Sequence, residues 1–195
     1  QLALNSIISL PIPGYSAIMW LTSSNMGHSL LEKMIDSGVT FDSKTLNHII
    51  EQGPDRGKSS LFFLAGTETG HPLLEKIVDR DVKIDSQAIN RIIEQGPDRG
   101  LSALFWLASD VTGRTILQKI IVSGVIIESK TLNHIIVQGH HRGMSALYFL
   151  TGSETGRSIF KKIVDSGVII ESQTLNHIIE QGPNKGISAF YFLTG

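Results

Sequence analysis

The chain repeats itself every 43 residues: the pair Leu46-Asn47 returns as Ile89-Asn90, Leu132-Asn133 and Leu175-Asn176. A period of this kind constrains a fold more than any composition does. Each unit is one supersecondary element that cannot bury its apolar face alone and must stack on its neighbours. In register, the units run 11–53, 54–96, 97–139 and 140–182, followed by a partial fifth over 183–195. The segment Leu4-Asn5-Ser6-Ile7-Ile8 reads as the tail of an earlier unit within 1–10, and it is one residue short of the full offset. The expectation is a single all-α domain, an α-solenoid of about four and a half units, cut from a longer protein.

Each unit reads as three short helices. The first follows Ser59, Ser102 or Ser145, a serine at a plausible N-cap before an apolar run such as Leu61-Phe62-Phe63-Leu64, apolar all round and therefore expected to be enclosed. A turn closing on Gly27, Gly70, Gly113 or Gly156 leads to the second, where Ile159, Phe160, Ile163 and Val164 form one stripe and Lys161, Lys162 and Asp165 face away. Gly38, Gly124 and Gly167 stand where a left-handed residue ends a helix, and Asp81 takes that place in one unit. The third helix is expected to start from Ser43, Ser86, Ser129 or Ser172 as N-cap and to run to Gln-Gly.

The stretch Ser145-Ala146-Leu147-Tyr148, with Ile163-Val164-Asp165-Ser166-Gly167-Val168 after it, resembles the ankyrin repeat. Ser-Ala-Leu-Tyr stands where that family has Thr-Pro-Leu-His, and similar stretches occur in every complete unit. An ankyrin unit is about 33 residues long, and the surplus here corresponds to the third helix. Three helices and a period in the low forties are also similar to an armadillo or HEAT unit. Trp20 and Trp106 would match the armadillo aromatic, but the asparagine that follows it in that family is absent, Ser23 and Ser109 being nearest. Either resemblance implies a scaffold for protein recognition, and the ankyrin one is similar to extended arrays in secreted effectors of intracellular bacteria, which would act in a host cytosol.

No phosphate loop, nucleophile elbow, paired catalytic carboxylates or metal-binding helix motif is present. Catalysis needs unlike residues converging on one pocket, whereas near-identical units supply like residues in rows. The expectation is therefore no catalytic, cofactor-binding or metal-binding residue. The column His48, Arg91, His134, His177 is expected to be structural, because equivalents one helix spacing apart, about 8–10 Å, cannot meet on one ion. His140-His141-Arg142 replaces Pro-Asp-Arg and reads as a solvated turn. Asparagine is a poor helix-interior residue, so Asn47, Asn90, Asn133 and Asn176 read as a hydrogen-bonded ladder between units, with ligand contact as the alternative.

Candidate binding residues lie where the units differ or carry a cation: Lys58, Leu101 and Met144; His71, Arg114 and Arg157; Glu75, Gln118 and Lys161; and Arg56, Arg99 and Arg142. The expected partner is another protein. A net charge of −1 argues against nucleic acid. The absence of cysteine removes disulfides and is compatible with the cytosol, and no apolar run approaches the roughly 18 residues that cross a bilayer. Apolar residues at both ends, Leu4, Ile7 and Ile8 against Phe190, Phe192 and Leu193, would allow end-to-end self-association. The expected function is a non-catalytic protein-interaction scaffold. The alternative is a spacer or assembly element that positions a separate catalytic domain.

Overall fold

A computed structural model describes residues 7–8 and 15–194, the side chains of Ile7 and Ile8 excepted. The chain is all-α, with almost no strand. Leu4 and Asn5, and the start of the first complete unit at residue 11, lie outside the described residues.

The first-position helices are α1 (Ala17–Thr22), α4 (Ser60–Ala65), α7 (Ala103–Ser109) and α10 (Ala146–Thr151). Ser59, Ser102 and Ser145 cap the last three, each hydroxyl accepting the amide N–H three residues on, at 3.1–3.2 Å. These helices pack on one another in chain order, α1 on α4, α4 on α7 and α7 on α10. Enclosed on both sides, they supply fully buried side chains such as Ile18, Leu64, Leu107 and Leu150.

The second-position helices, α2 (Asn25–Asp36), α5 (His71–Val78), α8 (Val111–Val122) and α11 (Glu154–Asp165), form a parallel row, α2 on α5, α5 on α8 and α8 on α11. Ile159 and Ile163 are buried, whereas Val164 of the expected stripe is exposed. Gly27, Gly113 and Gly156 do not close a turn ahead of these helices but sit inside their first turn. The first helix approaches so closely there that a Cβ on Gly27 would lie 2.2 Å from the Leu21 carbonyl oxygen, and one on Gly156 2.3 Å from that of Leu150. Only glycine fits at such a crossing. Asp81, at φ 59°, holds the left-handed position that glycine occupies elsewhere.

The third-position helices are single turns: α3 (Ser43–Asn47), α6 (Ser86–Asn90), α9 (Ser129–Leu132) and α12 (Ser172–Asn176). Two expectations fail here. The N-cap is the acidic residue before the serine, with Asp42 and Asp85 accepting from the N–H of Lys44 and Gln87. The serine, displaced to the first helical position, turns its hydroxyl to the next unit, where Ser86 Oγ accepts from Ile126 N–H and Ser129 Oγ from Ile169 N–H, both at 3.0 Å. Nor does the helix reach Gln-Gly. Asn47 Nδ2 donates to the Ser43 carbonyl at 2.7 Å, and His48 is already extended.

The chain then closes a hairpin-like turn. Ile93 N–H donates to Leu101 O and Gly100 N–H to Ile93 O, both at 2.8 Å, and the same pair of bonds recurs at Ile50, Ile136 and Ile179. The N-terminal counterpart is regular enough to pair two short strands, β1 (Ile7–Ile8) and β2 (Tyr15–Ser16). A last helix, α13 (Tyr191–Thr194), leaves Phe190 and Leu193 exposed, while Phe192 stacks on Tyr148 at 5.5 Å.

The asparagines bridge consecutive units. Besides its own helix, Asn90 Nδ2 donates to Ile126 O at 2.8 Å and Oδ1 accepts from Glu128 N–H at 2.9 Å. Asn47 makes the equivalent bonds to Lys83 and Asp85, and Asn133 to Ile169 and Glu171. Among the described residues, Asn176 bonds only within its own helix, and it is exposed. Replacing Asn90 or Asn133 by leucine strands buried backbone groups on two units and should cost about 1–3 kcal/mol, whereas Asn176→Leu should cost little. Urea unfolding of the three variants measures the contrast. Asp81→Gly should raise stability by about 0.5–1 kcal/mol by relieving the left-handed backbone, read as a higher thermal midpoint.

Candidate functional site

The structure divides the candidate binding residues into two groups. Lys58, Leu101, Met144, His71 and Arg114 are all less than a tenth exposed and are corrected from surface to interior. Leu101 and Met144 belong to a second apolar cluster beneath the hairpin turns, with Phe62, Phe105, Tyr148 and the isoleucines 93, 136 and 179. His71 and Arg114 serve the helix ends. The last carbonyls of a helix lack partners, and Ala65 O accepts from His71 Nε2 at 2.8 Å, while Ala108 O accepts from Arg114 Nη1 at 2.7 Å. Arg157, exposed, reaches Thr151 O in the same way. Histidine and arginine interchange here because either can present an N–H to a carbonyl.

Lys58 lies between two hairpin turns, 2.7 Å from Asp55 and 2.6 Å from Asp98 of the next unit, with its ammonium over Phe62 and Phe63. Burial works against its charge, but hydrogen bonds to the two aspartates outweigh it and raise the lysine pKa. Asp55 also accepts from the Tyr15 hydroxyl, whose pKa is raised by burial and then by that bond. Burial pushes the Asp55 carboxyl up, yet the hydrogen bonds from Lys58 and Tyr15 prevail and hold it below the usual carboxylate range. One unit later the lysine is Leu101, and the aspartate expected opposite it is His141. With no cation to pair, the histidine ring packs edge-on against Phe105 and Trp106, each centroid at 5.2 Å. Within the His-His-Arg turn, His140 and Arg142 are exposed, as a solvated turn requires, whereas His141 is half-buried in this aromatic contact.

Lys58→Leu should cost about 1–3 kcal/mol by leaving Asp55 and Asp98 without their cation. Adding Asp98→His, which copies the next junction, should recover at least half of that loss in urea unfolding. Because the folded Asp55 pKa is depressed, its contribution is present above the unfolded aspartate range and is lost as pH falls through the folded value. That acid-side loss should be smaller in Lys58→Leu.

On the second-helix row, Lys76 meets Glu32 and Asp36, and Lys119 meets Glu75 and Asp79, at 2.7–3.0 Å. The next rung is absent, because Gln118 and Val122 replace the acids opposite Lys162. Lys161 is exposed and pairs within its own helix with Asp165. Exposed ion pairs of this kind contribute little each.

Arg56, Arg99 and Arg142 are exposed on the hairpin turns. Two of them border a trough that runs along the third elements. Its main cleft, about 430 Å³, lies between α6 and α9 and is lined by Gln87, Arg91, Arg99, Lys130, His134 and Val137, among others. A second cleft of about 380 Å³ shares Lys130 and His134 and continues to Gln173. A third of about 200 Å³ shares Val137 with the first and adds Arg142, His177 and Glu180. Arg91 and His134 form the floor, one from each unit, packed on the hairpin-turn glycines: His134 Nε2 would lie 3.3 Å from a Cβ on Gly100. That nitrogen and Arg91 Nε are buried without a hydrogen-bond partner. Burial, and then Lys130, holds the His134 pKa below the ordinary histidine value.

Sequence reasoning had read Arg91, His134 and His177 as structural and had not singled out Gln87, Lys130 or Val137. The available signal was the exchange of glutamate for valine at 137, against Glu51, Glu94 and Glu180. Among the described residues no three His, Asp or Glu side chains converge as a metal site, and no helix is long and apolar enough to cross a membrane. Compared with known protein families, curated proteins and solved structures, the chain has no match.

Proposed function

We propose that this chain is a non-catalytic protein-interaction module, an α-solenoid of ankyrin-like units each enlarged by a third element, whose trough holds an extended segment of another protein. The observation that supports this most is the sharing of lining residues between successive clefts, so that one concave strip passes from unit to unit. Its positions repeat with the units while their side chains vary: Gln87, Lys130, Gln173; Arg91, His134, His177; Glu94, Val137, Glu180. A fixed frame with variable lining is what recognition of a linear sequence requires. An extended chain advances about 3.3 Å per residue and a unit about 8–10 Å, so each unit would face about three residues of the ligand.

The buried positions set aside above cannot take part, and the second-helix row between α2 and α8 is tied up in ion pairs. The test is selection of peptides from a random decapeptide library displayed on phage, followed by NMR titration of the labelled protein with an enriched peptide. Amide shifts are expected within residues 87–100, 128–137 and 173–181. An absence of enriched peptides, or shifts confined to the second-helix row, would remove the trough as the binding face.

A further inference from the structure

The trough is not uniform along its length. Two glutamates of the lining meet an arginine, at different places: Glu94 lies 3.5 Å from Arg91 in its own turn, and Glu180 lies 3.9 Å from Arg142. Arg99 is the equivalent of Arg142, and Val137 is the equivalent of Glu180. Val137 therefore leaves Arg99 without the acid that Glu180 offers Arg142, and the arginine that pairs with Glu94 is itself replaced by His134. Arg99 is exposed and has no ion-pair partner among the described residues, and the same holds for Lys130 in the same cleft. Arg91 adds a third cation, one-third exposed, only loosely paired with Glu94 and with its Nε unsatisfied. Against these stand Glu94, already engaged, and Glu128. Val137 itself is 64% exposed, an apolar wall beside the cations.

Unpaired cations bordering a concave site favour an anion, and a guanidinium matches a carboxylate through two parallel N–H donors. At about 430 Å³ the cleft is large enough for a side chain and its flanking backbone. Resting on the reading of the trough as a peptide site, we infer that the cleft between α6 and α9 takes an acidic side chain of the bound segment, its carboxylate between Arg99 and Lys130 and an apolar neighbour against Val137. The adjoining cleft, where Arg142 faces Glu180, lacks this preference because its cation has its own acid. The single exchange at 137 thereby sets the register in which a ligand lies along the units.

The test uses the peptides enriched on the whole chain. They should carry an acidic residue at one fixed position with an apolar residue beside it. Val137→Glu restores the residue found at the three equivalent positions, so the fold tolerates it, and it should weaken binding about tenfold in fluorescence anisotropy. Arg99→Glu should do the same, Lys161→Glu should leave affinity unchanged, and raising the salt should weaken the wild-type complex. Changing the peptide's acidic residue to its amide should cost the wild type about tenfold and the Val137→Glu variant far less. Peptides that shift the trough amides but have no fixed acid, or that bind Val137→Glu as tightly as wild type, would overturn this inference while leaving the trough as the binding face. Failure to enrich any trough-binding peptide would overturn both.

Discussion

The structure depends on one side chain per unit doing the work of a strand pairing. Short helices joined by turns leave many backbone groups at each junction, and these must find partners or cost free energy. Asn90 meets the demand by donating to one carbonyl of its own helix and one of the next unit while accepting an amide N–H from that same next unit. The neighbouring Thr131 hydroxyl adds a bond to the Asn90 carbonyl at 2.8 Å, as Thr174 does at Asn133. Leucine or serine cannot reproduce this, because only a side-chain amide offers two donors and an acceptor in one plane. The distance between consecutive third elements is thereby set by the reach of an asparagine, and the cleft between α6 and α9 inherits its width.

Charge is arranged around this frame junction by junction rather than globally. Lys58 satisfies two aspartates from consecutive hairpin turns, and when the lysine becomes Leu101 the aspartate of the following turn becomes His141. The second-helix row follows the same logic, with Lys76 and Lys119 each spanning two acids of the preceding unit. Partners change together because a carboxylate left near apolar surroundings without its cation is costly. Two places depart from that rule: Gln118 and Val122 leave Lys162 without its acids on the second-helix row, and Val137 leaves Arg99 without one in the trough.

The periodic, locally determined features were legible in the sequence. Serine caps of the first helices, the left-handed residues after the second and the repeated asparagine follow from rules that act over a few residues, and Asp81 was visible as a departure from them. What was not legible depended on a neighbour. Leu101, Met144, His71 and Arg114 differ between units and so resemble a recognition surface, but Leu101 is matched by a change across its junction, and His71 and Arg114 are alternative donors to the same helix-end carbonyl. Variation between repeats records co-adaptation across an interface as readily as it records binding. The length of the third helix was misjudged for a related reason. Its early end coincides with the asparagine, whose amide bonds the next unit, and that contact is not visible within one unit.

Varying positions must therefore be divided by what lies opposite them. At positions 58, 101 and 144 the neighbour is the chain itself, and the exchange of lysine for leucine from 58 to 101 is matched by that of Asp98 for His141. At 87, 130 and 173, and at 94, 137 and 180, the side chains border open clefts, and the frame beneath them is held by the asparagine and hairpin bonds, which do not involve them. Exchange there costs the fold little: the acid lost at 137 leaves Arg99 unchanged, while the arginine that meets Glu94 becomes His134. On the proposed reading of the trough, the cation left without an acid on this concave surface is the one available to an acidic partner.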